Sequence, residues 1–182
     1  MASVLVPLAQ GCEELEAITV VDLMRRAGIN VVTAGLDSKP VKASRGMVLV
    51  PDTNLDDALK HDYDMIVLPG GLPGADHLNI DARIQGVIKK MAASKKYTAA
   101  ICAAPKVFAS AGLLDGKTAT GYPGVLEALN LKSTKLSHDA VVTDGTVITS
   151  RGPGTAMDFA LHLIEKLVGK DKRNEVEAGL KR

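Results

Sequence analysis

Two hydrophobic periods run through the chain. Short, nearly continuous apolar runs lie at Ser3–Ala9 (SVLVPLA), Asn30–Ala34 (NVVTA), Asp64–Leu68 (DMIVL) and Thr98–Ile101 (TAAI). Each is too short for a helix, so all four read as buried strands. Between them, longer stretches repeat apolar residues every three or four positions. Glu13–Ala27 places Leu15, Ile18, Val21, Leu23 and Met24 at helical spacing. Its acidic start (Glu13, Glu14, Glu16) and basic end (Arg25, Arg26) suit the helix dipole, and Gly28 stands where a C-terminal glycine cap is expected. Ile80–Ser94 predicts a second helix. Gly154–Val168 predicts a third, with Met157, Ala160, Leu161, Ile164 and Val168 on one face. Val41–Val50 suggests short antiparallel strands around Ser44-Arg45-Gly46, and Val141–Ser150 a hairpin around Asp144-Gly145. Asp171–Arg182 is polar and reads as a short helix or tail.

Alternating apolar strands and amphipathic helices predict an α/β sandwich with a parallel sheet covered on both faces. In such sheets ligands bind outside the carboxyl ends of the strands. Three unusual segments follow strands there: Gln10–Glu16, Pro69–Gly74 and Cys102–Pro105. No repeat or linker interrupts the pattern, and 182 residues suggest one domain over 1–182.

Composition narrows the function classes. Lys and Arg number 22 and Asp and Glu 21, which leaves a net charge of +1 and no electrostatic case for nucleic acid or anionic membrane. Aromatics are 3% with no Trp, so a base-stacking platform is not expected. No apolar run approaches the ~18 residues that span a bilayer. Two cysteines make no disulfide framework, and no secretory signal opens the chain, so a reduced, cytoplasmic setting is expected.

In that setting Cys102 stands out. It follows an apolar strand, and Pro105 opens the helix beyond it, which makes a strand-to-helix elbow of the kind that presents nucleophiles. The helix N-terminus is expected to lower its thiol pKa, and turn amides to stabilise an oxyanion. The alternative is a buried structural thiol. Among Glu13, Glu14 and Glu16, spacing does not choose which carboxylate turns inward and which merely complements the dipole. Leu68–Gly74 (LPGGLPG) offers paired glycines whose backbone can approach closely and donate amides, or else an ordinary tight turn. It matches neither GxxxxGK[ST] nor GxGxxG. His61, His77 and His138 fall in loops or element ends, and His162 lies among apolar helix residues. No clustered ligand spacing points to a metal or another cofactor.

Six ordered motifs together resemble the ThiJ/PfpI superfamily, in the branch of the Parkinsonism-associated protein and its bacterial YajL relatives: GCEELE (11–16), DLMRRAG (22–28), Ser44-Arg45, IVLPGG (66–71), AAICAAP (99–105) and TSRGPGT (149–155). The resemblance implies a flavodoxin-like three-layer sandwich and a homodimer. It assigns the reactive cysteine to Cys102, its partner carboxyl to Glu16, and the oxyanion amides to Gly71 and Ala103. Arg45 is placed near the site across the dimer contact, and Gly70, Tyr122 and Pro153 in the substrate pocket. The implied activity is a glutathione-independent glyoxalase acting on small reactive aldehydes. Deglycase action on glycation adducts, a redox-sensing cysteine that forms sulfinate, and chaperone-like protection are the other activities attributed to this branch.

The chain departs from its relatives at several points. Tyr122 replaces a histidine that some relatives carry near the thiol, which weakens a Cys-His mechanism and fits a Cys-Glu pair. Ala103 replaces the histidine that follows the cysteine in PfpI-type proteases, so a protease reading loses its base. Ala43 and Val50 stand where the animal branch has further cysteines. Cys12 lies in the Glu16 loop, either as a small loop residue or as a resolving thiol.

Overall fold

The computed structural model describes residues 1–181. Along the chain come β1 (Ser3–Leu8), α1 (Glu14–Arg26) and β2 (Asn30–Gly35), then three two-residue strands, β3 (Val41–Lys42), β4 (Val48–Leu49) and β5 (Thr53–Asn54). The middle of the chain forms α2 (Leu55–Ala58), β6 (Met65–Leu68), α3 (Gly74–Ile80), α4 (Ala82–Ala93), β7 (Tyr97–Ile101) and α5 (Pro105–Ser110). It ends with β8 (Thr118–Ala119), β9 (Lys135–Leu136), β10 (Val141–Asp144), β11 (Val147–Ser150), α6 (Ala156–Val168) and α7 (Lys170–Leu180).

Seven strands form the central sheet in the order β10-β11-β7-β6-β1-β2-β5. All its pairings are parallel except the β10–β11 hairpin. Because β1 lies between β2 and β6, the connections leave it in opposite directions. The crevice beyond the carboxyl ends of β1 and β6 is therefore the topological switch point. Alternation along the strands supplies two cores. Val4, Val6, Met65, Val67, Ala99 and Ile101 pack with α1 and α6 through Val20, Leu23, Met24, Phe159 and Leu163. Leu5, Ile66, Leu68, Ala100 and Val147 pack with α3, α4 and α5 through Leu78, Ile84, Ile88 and Phe108. The result is the mostly parallel, helix-flanked α/β sandwich that the pattern predicts.

Three elements differ from the sequence reading. The single helix expected over Ile80–Ser94 is two helices. Asp81 is extended, and its carboxylate accepts the N–H groups of Arg83 and Ile84, so it caps α4 and ends α3. His77 consequently lies within α3. On α6, Met157 and Val168 face outward and Phe159 and Leu163 fill the core instead. On α1, Leu15 and Ile18 are 50% and 44% exposed, whereas Glu16, Ala17, Val20, Leu23 and Met24 are buried. The α1 helix is rotated so that Glu16, not Leu15, enters the molecule. The terminal segment is helical to Leu180, and Arg182 lies outside the described residues. Among the described residues no helix is long and apolar enough to cross a membrane.

The α6 correction is testable by denaturant unfolding. Leu163→Ala should cost about 2–5 kcal/mol, as a buried leucine does. Val168→Ala should stay within about 0.5 kcal/mol. Similar losses in both would restore the face inferred from periodicity.

Candidate active site

The site forms where the loops after β1, β6 and β7 meet. Cys102 adopts φ +64, a left-handed conformation that costs a non-glycine residue ~1–2 kcal/mol. Its neighbours hold it there. The Cys102 N–H donates to Ser150 O on β11 at 2.9 Å, its carbonyl accepts Tyr122 N–H at 2.7 Å, and Ala104 N–H closes the turn onto Ile101 O at 3.0 Å. A strained residue fixed from three directions is a feature of functional elbows. The side chain is 7% exposed.

Glu16 approaches from the first turn of α1. It is fully buried, and its Oε2 accepts Gly70 N–H at 2.8 Å. Its Oε1 has no further hydrogen-bond partner among the described residues, and the Cys102 thiol lies beside the carboxyl. Burial pushes its carboxyl from 4.5 up to about 7; the Gly70 amide and the Cys102 thiol oppose that shift, and the charge on Glu13 adds to it. Glu16 is thus poised to hold or release a proton at neutral pH. Burial and the nearby Glu16 carboxylate push the Cys102 thiol up to about 12, and the N–H groups of Gly71 and Ala103 pull the other way. This corrects the lowered thiol pKa expected from the helix N-terminus, because the low-dielectric pocket and the carboxylate outweigh the turn amides. The amide donors nevertheless face the sulfur from both sides. Transfer of the thiol proton to Glu16 removes the opposing charge and leaves them to stabilise a thiolate.

Neither glycine of the β6 loop can be replaced without movement. A Cβ on Gly70 would lie 2.6 Å from Cys102 Cβ and 2.8 Å from Glu16 Oε2. Gly71 has φ +85, and a Cβ there would lie 2.5 Å from Glu13 N. Glu13 N–H in turn donates to Gly70 O at 2.9 Å, which ties the β1 and β6 loops together.

The three acidic residues have three separate tasks. Glu13 caps α1 by accepting Glu16 N–H at 2.8 Å. Glu16 faces the thiol. Glu14 is buried rather than solvated, and accepts Ser44 Oγ–H at 3.0 Å and Arg45 N–H at 2.8 Å. It anchors the β3–β4 turn, a role that spacing does not reveal. Arg45 is exposed, and its guanidinium forms no hydrogen bond or ion pair among the described residues; within this chain it does not reach the cysteine. The Tyr122 ring is 50% exposed and lies against Gly152, beside the half-buried Pro153. Cys12 is fully buried, its thiol pushed up to about 12 by burial and the charges of Glu14 and Glu13. Its backbone closes on Gly74, where a Cβ would come within 2.6 Å, and its side chain packs into the buried core on the α1 side of the sheet. Sequence reasoning missed the support behind the elbow. Ser150 Oγ donates to Ala140 O and pairs with Thr155 Oγ1 at 2.7 Å, and the Thr155 hydroxyl closes the Gly152 turn. The TSRGPGT motif was the available signal.

A cysteine elbow on a mostly parallel α/β sheet, a buried carboxyl beside it and the Gly71 and Ala103 amides at the sulfur define an α/β protein with a Cys-Glu candidate site. The chain belongs to the DJ-1/PfpI family, whose family model matches residues 2–166. It is 43% identical over 179 residues to Protein dj-1beta of Drosophila melanogaster, covering 98% of this chain and 96% of that one. The crystal structure of Drosophila DJ-1beta superposes with a TM-score of 0.94 at 42% identity, covering 98% and 97%. Protein DJ-1 homolog B of Arabidopsis thaliana is 47% identical over 93% of this chain, which spans only 39% of that longer protein. A third relative, 36% identical over 96% of this chain and 92% of its own length, is the Glutathione-independent glyoxalase DJR-1.2 of Caenorhabditis elegans.

The raised Glu16 pKa has a stability signature. A carboxyl at about 7 when folded and 4.5 when unfolded favours the fold fully below about pH 4.5, and that contribution is lost as pH rises through 7. The shift corresponds to about 3 kcal/mol at ~1.4 kcal/mol per tenfold. Glu16→Gln should therefore gain on the wild type by about that amount between pH 4 and 8 in urea unfolding. A pH-independent difference would mean that Glu16 titrates normally.

Proposed function

We propose that the protein is a glutathione-independent glyoxalase that converts methylglyoxal or glyoxal to the 2-hydroxy acid, with Cys102 as nucleophile and Glu16 as proton shuttle. The observation that carries the reading is the pairing of a nearly enclosed thiol with a carboxyl that titrates about neutrality, under two backbone donors. The Caenorhabditis relative's name supports the same chemistry.

The thiol adds to the aldehyde carbon as its proton passes to Glu16. The new oxyanion is held by the Gly71 and Ala103 amides and becomes the hydroxyl of a hemithioacetal. Glu16 then takes the proton from that carbon and an enediol forms. Reprotonation at the neighbouring carbon leaves a thioester, and one water cleaves it to free Cys102 and the acid. Methylglyoxal plus water thus yields lactate with no net redox change and no cofactor. Gly70 abuts Cys102 and Glu16 and borders the reacting atoms, and Pro153 is assigned to the pocket from the family resemblance. Addition of the same thiol to an early glycation adduct would register as deglycation, as would removal of the free aldehyde in equilibrium with it. Two free cysteines suit the reducing cytosol, where we place the protein.

We further propose a homodimer through α1 and the β3–β4 turn. Leu15, Ile18, Met47, Val48 and Val50 are all exposed, and Ile18, Val21, Val48 and Val50 line one groove. Pairing there would give Arg45 a route to the partner's site.

Lactate formed from methylglyoxal without glutathione should vanish in Cys102→Ser and in Glu16→Gln while both keep the wild-type fold by circular dichroism. Turnover unchanged in either variant would remove that residue's assigned role. No lactate from the wild type would favour a peroxide sensor, in which Cys102 oxidises to sulfinate beside the protonated Glu16. In sedimentation velocity at micromolar concentration the wild type should run as a dimer and Ile18→Asp as a 19 kDa species. A monomeric wild type would refute the interface.

A further inference from the structure

The chain has only five aromatic side chains, three Tyr and two Phe. Phe108, Phe159 and Tyr63 are buried, and Tyr97 is partly so. Tyr122 alone is exposed, at 50%, and its backbone abuts the elbow, since its own N–H is the donor to the Cys102 carbonyl. Its ring has a fixed support. Gly152 follows Ser150-Arg151, and a Cβ at Gly152 would lie 3.2 Å from Tyr122 Cδ2, so the absent side chain lets the ring lie against the backbone. That backbone belongs to the loop whose Ser150 carbonyl binds the Cys102 N–H, so ring and nucleophile share one frame. The residue after Gly71 is Leu72, 57% exposed. The elbow thus carries an aromatic residue beside its carbonyl and an aliphatic one beside its Gly71 donor. Their weight here comes from their place beside the elbow, since other large apolar side chains such as Ile80 and Leu129 are exposed elsewhere.

We infer that Tyr122, with Leu72, forms a subsite for the substituent of a 2-oxoaldehyde, and that the preferred substrates carry a planar or branched apolar group rather than hydrogen. This rests on the glyoxalase reading and specifies its substrate class. The aldehyde carbon takes the thiol beneath the Gly71 and Ala103 amides, and the substituent beyond the ketone lies along the Tyr122 ring. Contact with one apolar wall is worth ~10–200-fold in discrimination.

The test compares kcat/KM for phenylglyoxal and glyoxal. The wild type should favour phenylglyoxal by about tenfold or more. Tyr122→Phe should keep that ratio, Tyr122→Ala should bring it near one, and Leu72→Ala should lower it partway. A wild-type ratio at or below one, or a ratio unchanged in Tyr122→Ala, overturns the inference. A second measurement does not depend on turnover. Phenacyl bromide and bromoacetone each alkylate Cys102 Sγ with loss of bromide, and mass spectrometry gives both rates relative to free cysteine. The normalised phenacyl preference should be present in the wild type and lost in Tyr122→Ala. If no hydroxy acid forms from any aldehyde but this preference holds, the glyoxalase reading fails and the apolar subsite stands. If hydroxy acid forms without either preference, the reading stands and the subsite fails.

Discussion

The hydrogen bond from Gly70 N–H to Glu16 Oε2 is the contact on which the site depends. It joins the first turn of α1 to the loop after β6, across the switch point of the sheet. It also decides which way α1 faces. With Glu16 inward, the residues one turn and two turns further on, Val20 and Leu23, follow it into the core, and Leu15 and Ile18 are left outside. A single polar contact thereby fixes a helix face, buries a carboxyl and creates an exposed apolar strip. The cost is desolvation of a charge, and the raised pKa is how that cost is expressed.

The elbow imposes the complementary constraint. Cys102 is held left-handed by contacts from β11, from the Tyr122 loop and from its own turn, and the Gly70 backbone fills the space in front of it. Each loop has a part that any larger residue would displace. Rigidity here has a chemical use, since amide donors stabilise a forming charge only when no reorganisation is needed at the moment of reaction.

The strands, the hairpin, the elbow and the three converging loops were legible because they rest on local signals: period, glycine, proline and an apolar run ended by a cysteine. The family motifs chose Glu16 among the three acids as the partner of Cys102, and the structure brings the two together. What periodicity misread were the faces of α1 and α6. On α1 the apolar stripe Leu15, Ile18, Val21 is real, but a buried carboxyl outranks it in setting rotation. On α6 Met157 and Val168 fit the same three-to-four spacing as Phe159 and Leu163, and only the packing against the sheet separates them. The break at Asp81 was hidden because an Asp cap reads like any polar helix residue until its carboxylate is seen on Arg83 and Ile84 N–H. Glu14's hold on Ser44 and Arg45 spans thirty residues of sequence, and no local pattern carries such a contact.

The protonation of the pair is where the physics departs furthest from the motif. A cysteine at a helix start is ordinarily read as a standing thiolate. Here desolvation and the Glu16 carboxylate oppose that state, so the thiol keeps its proton until the carboxyl can take it. Nucleophile and acid are then generated in the same transfer, which leaves the net charge of the pocket unchanged. The Gly71 and Ala103 amides act on whatever negative charge sits between them, first on sulfur and then on the oxyanion as the bond to carbon forms. In the reaction we propose, such an arrangement would keep the thiol quiet toward bulk electrophiles and activate it for a carbonyl whose oxygen reaches those two donors. On the proposed mechanism selectivity would therefore arise from the coupling of proton transfer to oxyanion binding, with the walls around the site choosing among the carbonyl compounds that fit.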